Sequence, residues 1–591
     1  MNARLVALAI ACLAPTAAFA QHFHHHAEAA AGTKSVCDKP YADPVLIDGL
    51  QKVQWDVLST GNDTAKRHFR QGMTLLYGFN YEDALRNFRK ATTLDDNFAM
   101  AWWGMAMAAG PNINLGMDEP CGILAGTSTD KAVERADAQH PLHKISDLEY
   151  GLIHTLPERY AKVIGSQHRV LQPVEYAVAM RRVAQANPSD PNAAALFVES
   201  LMNLRPWALF DSGGREAVGT DEALKVLRGF VDAGSTAIGI NHYFIHAVEA
   251  GPKPTEALVS ADRLGKANTD SGHLRHMPSH TFFLAGDYAG AARANTEAIF
   301  ADNQQFGPAC AGEYAQYIER RDCLQLYYGH YLAHNYFFLA VSEAFRGRYI
   351  AALDVAETTR THTMRFLANE PNLQRYATAP LMLKVALGLW NEVIGKDKEP
   401  APDPKCVMDP RSTEPAPCHI LLAFRHYARG MAYATDPKTA QSARAELGDF
   451  RTERANVQTS GPTGWGNNRA DDVLAVAEQM LIGRIEWVEG RREIAIERLK
   501  LAATREDDLV YDEPPQWVFP VRQALGGAYL AVGNNEAAKN AFCGDLRRHH
   551  GSGRSLYGMY RALEGMGTQW AAWAATYKNL YQTAWTGAPK P

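Results

Sequence analysis

Three alanines, Ala223, Ala257 and Ala291, stand 34 residues apart in the segments DEALKVLRGF, TEALVSADRL and AGAARANTEA. A fixed period of this size restricts the fold severely, because each period must be one supersecondary unit stacked on the next. Earlier in the chain, residues 68–103 read HFRQGMTLLYGFNYEDALRNFRKATTLDDNFAMAWW. The pattern predicts an antiparallel pair of helices. Gly72 on the first and Ala84 on the second let the two backbones approach, while Phe88 and Ala91 fill the contact with the next pair. Further copies fall around Ala352, Ala495 and Ala538, where Ala340, Gly483 and Gly526 stand twelve positions earlier, on the partner helix.

These offsets are those of the tetratricopeptide repeat, with Asp96 in place of the usual closing proline. The predicted fold is therefore all-α, a tetratricopeptide-repeat superhelix (a helical-repeat solenoid) with loop insertions and no evident strand. A chain of 591 residues is too long for one compact core and suits such an array. The gap from Ala291 to Ala352 leaves room for a loop with Cys310 and Cys323. Residues 396–418, KDKEPAPDPKCVMDPRSTEPAPC, read as a linker or disulfide-pinned loop. The predicted organisation is a signal peptide over 1–20, an N-terminal segment with a His-rich start over 21–60, and one superhelix over 61–395. The linker over 396–418 and a second set of repeat helices over 419–591 follow.

Arg4, the apolar stretch Leu5 to Ala14 and Ala18-Phe19-Ala20 have the form of a secretory signal, cut before Gln21. The expected location is periplasmic or secreted, and no later segment is apolar enough to span a membrane. In an oxidising compartment the cysteines favour disulfides: Cys310/Cys323 and Cys406/Cys418 as near neighbours, Cys37/Cys121 as a third pair, and Cys543 left over. With a net charge of -5 and no long basic run, no nucleic-acid partner is expected.

Five of the 21 histidines fall between positions 242 and 280, where even spacing would put between one and two. His242, His246 and Glu249 step by three or four residues, and so do His273, His276 and His280, so each set shares a helix face. Counting twelve back from Ala257 and Ala291 places both sets on the first helix of a repeat, on the face that lines the concave groove. His334, six before Ala340, lies on the same surface, and Glu199 belongs to the helix before. First helices of adjacent repeats lie about 10 Å apart, so their imidazoles can converge on one ion. Neutral imidazole suits zinc, copper, iron and nickel, with carboxylates completing such sets. The candidate ligands are His242, His246, His276 and His280, with Glu249, His273, His334 and Glu199 as further ligands, orienting groups or an acid/base partner. This many donors allows one or two ions.

Two other stretches carry less. Gln21-His22-Phe23-His24-His25-His26 would place histidines beside a free amine, a copper-binding arrangement or an incidental tail. The run Asp507 to Arg522, with Pro514-Pro515 and Trp517, reads as a rigid corner between repeats; alternatively Glu513 and Arg522 rim the same cavity as the histidines.

Together FNYEDALRNFRKA, AMAWWGMAMAAGPNIN, HYFIHAVEA, HLRHMPSH and YDEPPQW resemble a bacterial family of exported tetratricopeptide-repeat proteins. The resemblance implies a helical superhelix in which the histidine motifs are a shared signature, and it assigns no reaction. The expected function is an exported metalloprotein binding one or two divalent transition-metal ions (copper, zinc or iron) in its groove, with metal-dependent hydrolase or oxidase activity in view. Its partner would be a small molecule or peptide in the groove. The alternative is a non-catalytic scaffold that binds a peptide or a partner protein there.

Overall fold

The computed structural model describes residues 35–38, 43–162, 169–211, 213–310, 326–367, 370–395, 418–459 and 464–587. The chain is all-α and built from tetratricopeptide-type helix pairs. Among the described residues the strands form two short antiparallel ladders, Tyr160–Lys162 with Arg169–Leu171 and Gly464–Trp465 with Asn468–Arg469, which the sequence did not disclose. Among the described residues no helix is long and apolar enough to cross a membrane. The N-terminal stretch read as a signal and His-rich start, the Cys323 and Cys406 positions, and the Pro-rich stretch up to 417 lie outside the described residues.

The repeat register holds. Ala84, Ala91, Ala223, Ala257, Ala291, Ala352, Ala495 and Ala538 are all buried. In the first pair, Asp63–Tyr77 with Tyr81–Leu94, each helix is capped by an asparagine side chain, Asn62 accepting from Ala65 N and Asn80 from Asp83 N. These caps satisfy amides that no helix carbonyl reaches. Phe88 lies between two glycines: a Cβ on Gly72 would stand 2.7 Å from the ring, and one on Gly104 2.5 Å. The ring therefore fills the space two missing side chains leave, and it is fully buried. Near the C-terminus Phe542 is held the same way between Gly526 and Gly558.

The structure divides into two compact units. One comprises the residues up to Thr281 together with Arg293–Asn335; the other comprises Phe282–Ala292 and the chain from Tyr336 on. The first contains all eight candidate ligands. In it the disulfide Cys37–Cys121 joins the start of the described chain to the helix Glu119–Gln139. Cys418 and Cys543 are disulfide-bonded as well, so Cys543 is not the leftover its position suggested.

The second unit contains four successive helix pairs: His419–Tyr433 with Ala440–Thr459, Ala470–Val488 with Arg492–Asp507, Val521–Ala531 with Asn535–Leu546, and Gly553–Gly565 with Ala571–Ala584. Between the second and third, Trp517 packs against Tyr427 at 5.8 Å and Phe424 at 6.3 Å, and Arg522 pairs with Asp507 at 2.5 Å. Within this unit the segment is a packed corner.

Candidate metal centre

The helix Ile238–Glu249 is buried along its whole length. Its entry is tight: a Cβ on Gly239 would stand 2.9 Å from both Ala195 and Tyr77. Glycine there lets the helix settle close to two neighbours, and His242, His246 and Glu249 follow on one face. The second histidine run is not one continuous helix. It is divided into Gly272–His276 and Pro278–Leu284, because Pro278 lacks the amide that would continue the ladder. His276 and His280 nevertheless stay one turn apart. The helix Leu326–Phe345 supplies His334.

The six histidines fall into two sets of three. In the first, one ring nitrogen each from His242, His246 and His273 lie within 4.8 Å of one another, and in the second the same holds for His276, His280 and His334. His242 Nε2 is 3.2 Å from His273 Nε2. In the other set His276 Nε2 is 2.6 Å from His280 Nε2 and 3.0 Å from His334 Nε2. A tetrahedral ion with metal–nitrogen bonds of about 2.0–2.1 Å separates its ligand atoms by about 3.3 Å. Both sets therefore need only small adjustments to enclose an ion.

The outer hydrogen bonds fix which nitrogen carries the proton. Glu249 accepts from His246 Nδ1 with Oε1 and from His280 Nδ1 with Oε2, each at 2.6 Å, so one carboxylate orients one imidazole of each set. Asn295 Oδ1 accepts from His276 Nδ1 at 2.7 Å. With their Nδ1 protons engaged, His246, His276 and His280 keep Nε2 as the nitrogen that could bind an ion. The His273 backbone N–H donates to Tyr327 Oη at 2.9 Å, and that hydroxyl donates to the buried carboxylate of Asp302 at 3.2 Å.

Burial governs the electrostatics. It holds His242, His273 and His276 well below the ordinary imidazole range, reinforced by neighbouring imidazoles, and so keeps them neutral, as ligands must be. Burial also opposes ionisation of Glu249, but the two imidazoles beside it outweigh that and hold the carboxyl well below the usual range.

Aromatic rings wall the first set. Phe79 stacks on His246 at 5.5 Å and on His273 at 5.2 Å, and it tilts against His242 at 4.8 Å. Trp207 meets His246 edge-on at 5.6 Å, and Tyr331 meets His273 at 4.9 Å. Phe79 (φ 56°) and Trp207 (φ 60°) both have left-handed backbones, a strained state for bulky residues that costs on the order of 1–3 kcal/mol each. Surrounding contacts impose it, and in both cases the ring lies on a histidine.

Of the residues named from sequence, seven are brought together: His242, His246, Glu249, His273, His276, His280 and His334. Glu199 is placed elsewhere. Its carboxylate faces Arg159 at 3.7 Å and accepts from the Asn203 amide, and burial pushes its pKa up against the lowering effect of Arg159. The break in the repeat after Phe210 hid this direction. Asn295, Phe79, Asn114, Trp207 and Tyr331 were missed. Asn295 did leave a signal. It stands four after Ala291, where the equivalent positions hold Phe88, Leu227, Ala261, Ala356, Leu499 and Phe542. A polar residue at a packing position of the repeat marks a buried partner.

No protein-family model matches the sequence, and no curated protein matches it. Similar solved structures include the human IFIT1 dimer with m7Gppp-AAAA, at 12% identity over 91% of this chain and 96% of that one, TM-score 0.32. The Cut9-Hcn1 structure of the APC/C hetero-tetramer matches at 12% over 84% and 76%, TM-score 0.27, and yeast Tom70 at 11% over 88% and 92%, TM-score 0.26. Likenesses this slight carry no inference about activity. The repeat class is tetratricopeptide. It rests on the chain's own helix pairs and on the glycine-flanked phenylalanines.

Proposed function

We propose that this chain is an exported helical-repeat metalloprotein that holds two transition-metal ions, one in each three-histidine set, with Glu249 orienting a ligand of both. The observation that carries this is the pair His276 Nε2 and His280 Nε2 at 2.6 Å. Both Nδ1 atoms are occupied by acceptors, so two lone pairs face each other in a buried site. A cation held between them would make that contact favourable.

Six imidazole nitrogens favour copper, zinc or iron over hard cations. Held by three imidazoles each, such ions would supply activation of water for hydrolysis or, if redox-active, oxygen chemistry. Burial of all but His334 supports an ion over an extended peptide, since the imidazoles are not displayed on a surface. The signal-like N-terminus and the Cys37–Cys121 disulfide support a periplasmic or secreted location.

The test is metal analysis of protein purified without a histidine tag. Two ions per chain are expected, falling to about one in His242→Ala and in His276→Ala. Near-zero metal that these substitutions leave unchanged would favour the non-catalytic scaffold.

A further inference from the structure

Beside the first histidine set lies a narrow slot lined by Ile113, Met202, Trp207, Leu209, His246 and Ala250. Its walls carry no charged side chain, and its free space of about 10 Å³ is barely that of one water molecule. His246 Nε2 is buried and, among the described residues, has no hydrogen-bond partner. Its other nitrogen is fixed on Glu249, so the free lone pair belongs to a side chain that also lines the slot.

Trp207, on the slot wall, is held by a strap. Asn114 accepts from the Trp207 indole N–H at 3.1 Å and donates to Tyr331 Oη at 3.0 Å. One exposed amide thus ties together the two rings that rest on His246 and His273. The loop carrying it is held rigid. Asn112 and Leu115 exchange backbone hydrogen bonds, and the Asn112 side chain accepts from Asn114 N at 2.7 Å. At the loop's start, Arg159 Nη2 donates to the Pro111 carbonyl at 2.9 Å.

Resting on the metal reading above, we infer that the ion held by His242, His246 and His273 takes its exogenous ligand through this slot, and that the ligand is an uncharged molecule of diatomic size. Charged or extended substrates find no polar partner on these walls and no room between them. Asn114 and Trp207 act as size-selecting residues, not as ligands.

The test uses the full chain loaded anaerobically with copper(I), which neutral nitrogen donors bind well. Carbon monoxide is added and its bound stretch followed by infrared spectroscopy; tert-butyl isocyanide, a bulky ligand with the same kind of donor atom, is then titrated in. Carbon monoxide should bind the wild type. The isocyanide should displace it at least 100-fold less readily than in Asn114→Ala and Trp207→Ala. Asn114 is exposed, so its variant is not expected to disturb the core, and retained carbon monoxide binding checks that both variants are folded. Equal displacement in wild type and variants overturns the inference, as does copper retained with no carbon monoxide band. Failure to retain copper at all overturns the metal reading itself, and this inference with it.

Discussion

Replacing Glu249 by glutamine keeps the side chain's shape and removes one acceptor. In the native arrangement each carboxylate oxygen accepts one imidazole N–H at 2.6 Å, from His246 on one side and His280 on the other. A glutamine offers one oxygen and one NH2 group. One imidazole therefore keeps its tautomer, while the other must turn a lone pair to the amide and its N–H toward the ion. Restoring the ligand form of that imidazole would leave two donors facing each other in a buried site, a cost of about 1–3 kcal/mol. Losing the orienting partner alone typically weakens binding by about 10–100-fold, or roughly 1.4–2.8 kcal/mol. Glu249→Gln should therefore hold one ion within about tenfold of wild-type affinity and bind the other at least about 100-fold more weakly. Calorimetric titration of stripped protein, with metal counting by mass spectrometry after gel filtration, reads both steps. Two unchanged steps would refute the tautomer reasoning. Loss of both ions together would show that the carboxylate binds the metals directly.

Other outcomes follow from single contacts. Asn295→Leu removes the nearer partner of His276 Nδ1, leaving Ser279 Oγ at 3.3 Å, and should weaken only the second ion, by about tenfold, in the same titration. Phe88→Ala should destabilise the first unit by about 3–5 kcal/mol in chemical denaturation, since two flanking glycines leave nothing to refill the cavity. Burial pushes the Asp302 carboxyl from 3.8 up to about 7, against hydrogen bonds from Tyr327 and Asn335. The folded state then keeps a proton that the unfolded state releases between pH 4 and 7, so its stabilising contribution is present at low pH and lost as pH rises through 7. Asp302→Asn removes that slope and should gain about 3 kcal/mol on wild type between pH 5 and 8. A constant gap between their unfolding midpoints across that range would contradict it.

Much of this was legible in the chain because helical spacing is local. Steps of three and four put His242 with His246 and Glu249, and His276 with His280, whatever surrounds them. The 34-residue period then set the helices side by side. Spacing could not show that Glu249 would reach across to His280, since that contact depends on how two separate helices pack. Nor could it give the direction of Glu199, which an irregular stretch separates from the register and which Arg159 claims. Phe79 and Trp207 were hidden for another reason. Their backbones take conformations that propensity argues against, so only tertiary contacts reveal why they are there.

Phe79 occupies the turn of the first helix pair, far upstream of the histidines it covers, while His334 completes the second set. The centre thus spans some 250 residues of sequence, from its wall to its last ligand. Such non-local closure is slow, because the loops must be drawn together before any contact rewards them. The second ion cannot be enclosed until the helix bearing His334 has joined the rest. A chain truncated before that helix would be an open half-site, and one lacking the first pair would be a site without its roof. Assembly order, as much as ligand chemistry, is therefore written into where these residues stand.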